Sequence, residues 1–127
     1  MSSLNEYIES VKIAVQRLDD YGLAKSIEFQ SEFRKEDEVF LTSNATLIND
    51  SEIYLREYVN GKNGITRIDY SYQYQAADKS LIFRYDNSKH KPKLGFDEHK
   101  HQQDGSIIPS PMPSIDEIID EVIDFLG

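Results

Sequence analysis

Three histidines, His90, His99 and His101, are the only ones in the chain and fall within twelve positions of one another. The same stretch carries Arg84, Lys89, Lys91, Lys93 and Lys100, so the imidazoles stand in a locally basic setting. Histidine serves as general base or general acid near neutral pH. Fixed cations steady an anionic transition state. That inventory matches metal-free cleavage of RNA, which needs a base for the 2′-hydroxyl, an acid for the leaving oxygen and cations for a phosphorane-like transition state. On this reading His99 and His101, or His90 with one of them, act as base and acid. Arg84 and Lys100 hold the phosphate, Lys91 adds a substrate contact, and Glu57 and Asp86 orient the imidazoles.

A second chemistry uses the same residues. His99 and His101 face one side if their segment is extended, and a carboxylate such as Asp97 would complete a metal site for a hydrolase. Lys91, Lys93 and Lys100 would repel a divalent cation, so acid–base chemistry is favoured and no metal or other cofactor is called for. The bland alternative is that the histidines are simply solvated on a loop, and the chain is then a non-catalytic binding module whose tyrosine face or acidic body docks a partner protein. No nucleophile elbow or glycine-rich phosphate loop is present, and the lack of cysteine removes thiol catalysis and cysteine-bound zinc.

Tyr70, Tyr72 and Tyr74 recur at a spacing of two, which places three phenols on one side of a strand. Ordinary core or cross-strand packing is the favoured reading, and the alternative is a stacking platform for unpaired bases with Arg56 and Arg67 as the accompanying cations.

These side chains need a scaffold. Ser3 to Glu6 reads as a capping box, followed by Leu4, Ile8, Val11, Val15 and Leu18 at helical spacing and closed by Gly22. From Lys25 the period becomes two, giving strands to Arg34, over Val39 to Ile48, over Glu52 to Val59, over Ile65 to Gln75 and over Ser80 to Tyr85. The span 86–113 loses periodicity and gains charge and prolines, so it reads as a long loop. Ser114 to Glu117 is a second capping box, opening a helix with Ile115, Ile118, Ile119, Val122, Phe125 and Leu126 on its apolar stripe. The expected fold is a single α+β domain: one antiparallel meander of about five strands with both terminal helices on one face.

The net charge of −9 argues against a broadly basic, nucleic-acid-binding surface. Its distribution tells more. Residues 79–104 hold six basic against four acidic side chains, so the acidity lies in the other 101 residues. An anion would therefore meet one face or loop of an acidic body. The opening MSSLNEYIES has no signal-peptide layout and no run is long enough to span a membrane, so a cytoplasmic location is expected.

The motifs Arg84-Tyr85-Asp86-Asn87, His90, Phe96, His99-Lys100-His101 and Arg56-Glu57-Tyr58-Val59, with the Tyr70/Tyr72/Tyr74 strand and the helix start at Ser114, resemble the TumE-like family of prokaryotic toxin–antitoxin proteins. The likeness covers residues 24 to 126. It implies a toxin that pairs with a helix-turn-helix antitoxin and plausibly acts on RNA; a homo-oligomer is also compatible with it, and no membrane partner is. The family pattern implies one further histidine in each histidine group, where this chain has Lys91 and Glu98. A full metal-binding set would be weakened by that change, whereas one acid–base pair beside Arg84 would survive it.

Overall fold

Alternate burial along each central strand divides the chain into two faces. In the computed structural model, which describes residues 3–88 and 97–126, β2 (Glu38–Leu47) buries Val39, Leu41, Ala45 and Leu47, and β3 (Glu52–Asn60) buries Ile53, Leu55 and Val59. With β1 (Ala24–Lys35), β4 (Thr66–Gln75), β5 (Leu81–Asp86), β6 (His99–Gln102) and β7 (Ile107–Pro109) they form one antiparallel sheet in sequential order. Helices α1 (Ser3–Asp20) and α2 (Ile115–Leu126) pack on each other and cover the apolar face.

The helices end where local chemistry stops them. The N–H of Gly22, at φ +71°, donates to the Asp19 carbonyl at 2.9 Å, and Leu23 N–H donates to Leu18 at 2.8 Å, a Schellman closure of α1. At α2 the Ser114 hydroxyl accepts from Glu117 N–H at 3.1 Å while the Glu117 carboxylate accepts from Ser114 N–H at 2.9 Å. Leu4, Val11, Val15 and Leu18 of α1 and Ile118, Ile119 and Val122 of α2 bury their stripe against the sheet. Each such side chain contributes about 1.5–3 kcal/mol by leaving water.

The α+β class and the helix placement are as the sequence predicts, with seven strands in place of about five. The difference lies in 86–113, expected to be a loop throughout. β6 reads HKHQ and β7 only IIP, too short and too polar to show a period of two. Their backbones pair nonetheless, with a turn at Gly105 (φ +89°) and a Gln102 N–H bond to Ser106 at 2.9 Å.

Tyr70, Tyr72 and Tyr74 are wholly buried on the helix side. Tyr70 and Tyr72 stack at 5.1 Å, Tyr74 meets Phe125 edge-on at 5.7 Å, and its hydroxyl lies 2.8 Å from Ser51 Oγ. The base-stacking reading of these three is thereby corrected, because their faces are occupied by core.

Glu57 and Arg67 belong to the same interior. Glu57 accepts from the Tyr7 phenol of α1 at 2.6 Å and from the Tyr72 phenol. Arg67 Nη1 lies 3.7 Å from Glu57 and donates to the Tyr72 hydroxyl at 2.9 Å and to the Pro113 carbonyl at 2.6 Å. The network ties α1, two strands and the lead into α2 together. Neither residue reaches the histidines, which corrects the expectation that Glu57 orients them and that Arg67 meets substrate.

Burial raises the Glu57 carboxyl above its ordinary value of 4.5, outweighing the two phenol hydrogen bonds and the charge of Arg67. The folded protein then holds that proton more tightly than the unfolded chain, so the stability it contributes is complete below pH 4.5 and is lost as pH rises through the folded value. Urea unfolding across a pH series should show the stability of the native protein minus that of Glu57→Gln falling as pH rises from 4.5; a flat difference would contradict the raised carboxyl. Ser114→Ala should cost about 1 kcal/mol in the same assay through loss of the α2 cap.

Candidate active site on the outer sheet face

The period of two decides which side chains of β5 and β6 meet. Phe83 and Tyr85 turn toward the helices, Phe83 against Tyr74 at 5.6 Å and the Tyr85 hydroxyl to Glu121 at 2.5 Å. Arg84 and Asp86, alternating with them, therefore project from the opposite, outer face. The register pairs Arg84 with His101 and Asp86 with His99, which sets four functional side chains in a square across two strands.

Asp86 is the centre of that square. Its Oδ1 lies 2.6 Å from His99 Nε2, and its Oδ2 accepts from Arg84 Nε at 2.9 Å and lies 3.5 Å from His101 Nε2. Arg84 Nη2 reaches His101 Nε2 at 3.2 Å, and the two imidazole rings sit 5.0 Å apart, edge to face. His99 Nδ1 lies 2.7 Å from the Asp97 carbonyl oxygen.

Burial separates the roles. His99 is 0 % exposed and each of its ring nitrogens faces an oxygen acceptor, Asp86 on one side and the Asp97 carbonyl on the other. The side chain of His101 is 13 % exposed and that of Arg84 is 34 % exposed. His101 Nε2 has a partner in either protonation state. Without a proton it accepts from the Arg84 guanidinium; with one it donates toward Asp86. An imidazole so placed can take a proton and keep it beside a carboxylate, while the guanidinium next to it is suited to a phosphate oxygen.

The structure brings together Arg84, Asp86, His99 and His101 and leaves others apart. Lys100 lies between the histidines in sequence and so faces the helices, where its ammonium pairs with Glu121 at 2.8 Å and lies over the Tyr85 ring at 4.8 Å. The phosphate-binding role expected of Lys100 is corrected on that ground. Glu98, standing where the family resemblance places a histidine, is exposed just before β6 and accepts from the Tyr70 hydroxyl at 3.4 Å, apart from the Asp86-centred contacts. Arg56 is exposed on the outer face. His90 and Lys91 lie outside the described residues.

Asp86, His99 and His101 place three ligand atoms within 4.8 Å of one another, the metal-like set that sequence reading had assembled with Asp97. Asp97 instead offers its backbone carbonyl. Arg84 hydrogen-bonds two of those three groups, a fixed positive charge where a divalent cation would have to sit. One further member was missed: Gln73, whose Oε1 accepts from Arg84 Nη1 at 3.5 Å. Its place was readable from parity, since it alternates with Tyr72 and Tyr74.

No curated protein and no solved structure matches the chain. The family model described as toxin TumE matches residues 14–126, a span that runs from within α1 through all seven strands to the end of α2 and contains the whole Asp86-centred cluster. On that match the chain belongs to the toxin TumE family.

Proposed function

We propose that this toxin-family protein is the active member of a toxin–antitoxin pair and a metal-independent ribonuclease, with His101 as the proton acceptor and Arg84 as the phosphate ligand. The observation that supports this most directly is the imidazole of His101, the one that reaches solvent among the described residues, held between a guanidinium and a buried carboxylate. As the Arg84 guanidinium turns its hydrogen bond from His101 Nε2 to the phosphate, that nitrogen removes the 2′-hydroxyl proton, the 2′-oxygen bonds to phosphorus, and the bond from phosphorus to the 5′-oxygen breaks. The leaving oxygen takes a proton from a general acid, the role that sequence reading offers to His90, or from water. The products are a 2′,3′-cyclic phosphate and a 5′-hydroxyl end. Arg84 offsets the charge that gathers on the phosphoryl oxygens, Asp86 fixes Arg84 and shelters the transferred proton, and His99 fixes Asp86. The expected partner is an antitoxin of the helix-turn-helix class.

Growth inhibition on induction and RNA cleavage by purified protein test this directly. His101→Ala should lower cleavage by about 100-fold or more with an unchanged melting temperature, since a positioned acid–base group contributes about that much. Lys100→Ala should retain cleavage, and a chelator should not reduce it. Undiminished toxicity of His101→Ala, or cleavage abolished by chelator, would overturn the assignment.

A further inference from the structure

The register of the sheet continues the active cluster across the outer face. One cross-strand row runs Asn44, Tyr54, Gln73, Arg84, His101, and the next runs Thr42, Arg56, Ser71, Asp86, His99. Neighbouring strands lie about 4.8 Å apart, so Tyr54 and Arg56 stand about 10 Å from the β5 residues of their rows. The register irregularities fall outside these rows, between Tyr58 and Val59 and between Tyr74 and Gln75, so all ten side chains share one face.

The chemistry along the rows is selective. Tyr54 is 37 % exposed, and its hydroxyl donates to Glu52 at 2.9 Å, which holds the ring in place without covering it. Arg56 beside it is exposed, while Ser71 and Gln73, between it and the cluster, are uncharged and half-buried. From β2 to β6 these rows contain a single carboxylate, Asp86, and that one is buried between Arg84 and His99. Glu52, which accepts from Tyr54 at the margin of the rows, is itself paired with Lys79. An exposed aromatic face beside a cation, continuous with a phosphate-binding guanidinium, is the combination that single-stranded nucleic acid uses.

We infer that these two rows are a binding track for single-stranded RNA, resting on the ribonuclease reading above. The reacting phosphate lies at Arg84 and His101, a base further along the strand stacks on Tyr54, and Arg56 takes a backbone phosphate next to it. The platform thus stands on β3, with one tyrosine, where sequence reading had put three on β4.

Fluorescence anisotropy with a labelled single-stranded RNA of mixed sequence tests the track, using His101→Ala protein so that the probe stays intact. Adding Tyr54→Ala should weaken binding about tenfold, the stacking of one base, whereas Tyr54→Phe should bind like the parent. Adding Arg56→Ala should weaken binding and flatten its salt dependence by about one phosphate contact. A matched duplex should bind less well than the single strand. Affinity unchanged by Tyr54→Ala, in protein whose His101-containing form cleaves RNA, would overturn the track and leave the ribonuclease reading standing. An equal loss with Tyr54→Phe would assign the effect to the Glu52 contact and overturn stacking. RNA neither bound nor cleaved would remove both.

Discussion

A carboxylate removed from water has to be surrounded by donors, and the outer face of this protein is organised by how Asp86 meets that demand. His99 supplies one donor and Arg84 another, and the backbone N–H of Ser88 a third at 3.1 Å. Pairing them fixes the guanidinium against the partly buried imidazole of His101. The Asp86–His99 contact adds to the backbone pairing that joins β6 to β5, in a strand reading HKHQ that has no apolar side chain to bury. The strand that presents His101 is therefore tied to β5 through its other histidine.

A second buried carboxylate, Glu57, does related work on the other side of the sheet. Its donors are phenols, and its effect is to hold α1 and the lead into α2 against the tyrosine core. Burying a charge costs several kcal/mol unless its lone pairs are satisfied, so both sites rest on complete hydrogen bonding. Among the described residues no buried side-chain nitrogen or oxygen lacks a partner. The two carboxylates, though, serve different ends, Glu57 inside a helix–sheet joint and Asp86 beneath a face that solvent reaches.

Much of this was legible in the sequence. Capping residues and helical spacing located both helices, and alternation located β1 to β5, because those elements bury apolar stripes that leave a periodic trace. β6 and β7 left none, since polar pairing and short length hold them. The histidine cluster was visible as composition, and His99 with His101 as a same-side pair. The error at Lys100 has a simple cause: it was grouped with the histidines by nearness in sequence, whereas strand parity sends neighbours to opposite faces. Glu57 and Arg67 instead turn inward to the Tyr7 and Tyr72 phenols, a pairing that joins residues far apart in the chain. For Tyr70, Tyr72 and Tyr74 the favoured packing reading holds, and the stacking alternative falls once the face that carries the helices is known.

The two-residue alternation that sorts these faces also limits how the gene can change. Inserting or deleting one codon within β5 or β6 would exchange the sides, sending imidazole and guanidinium into the hydrocarbon interior and delivering Lys100 and Tyr85 to solvent. Length variation among relatives should accordingly collect between the strands and spare the strands themselves.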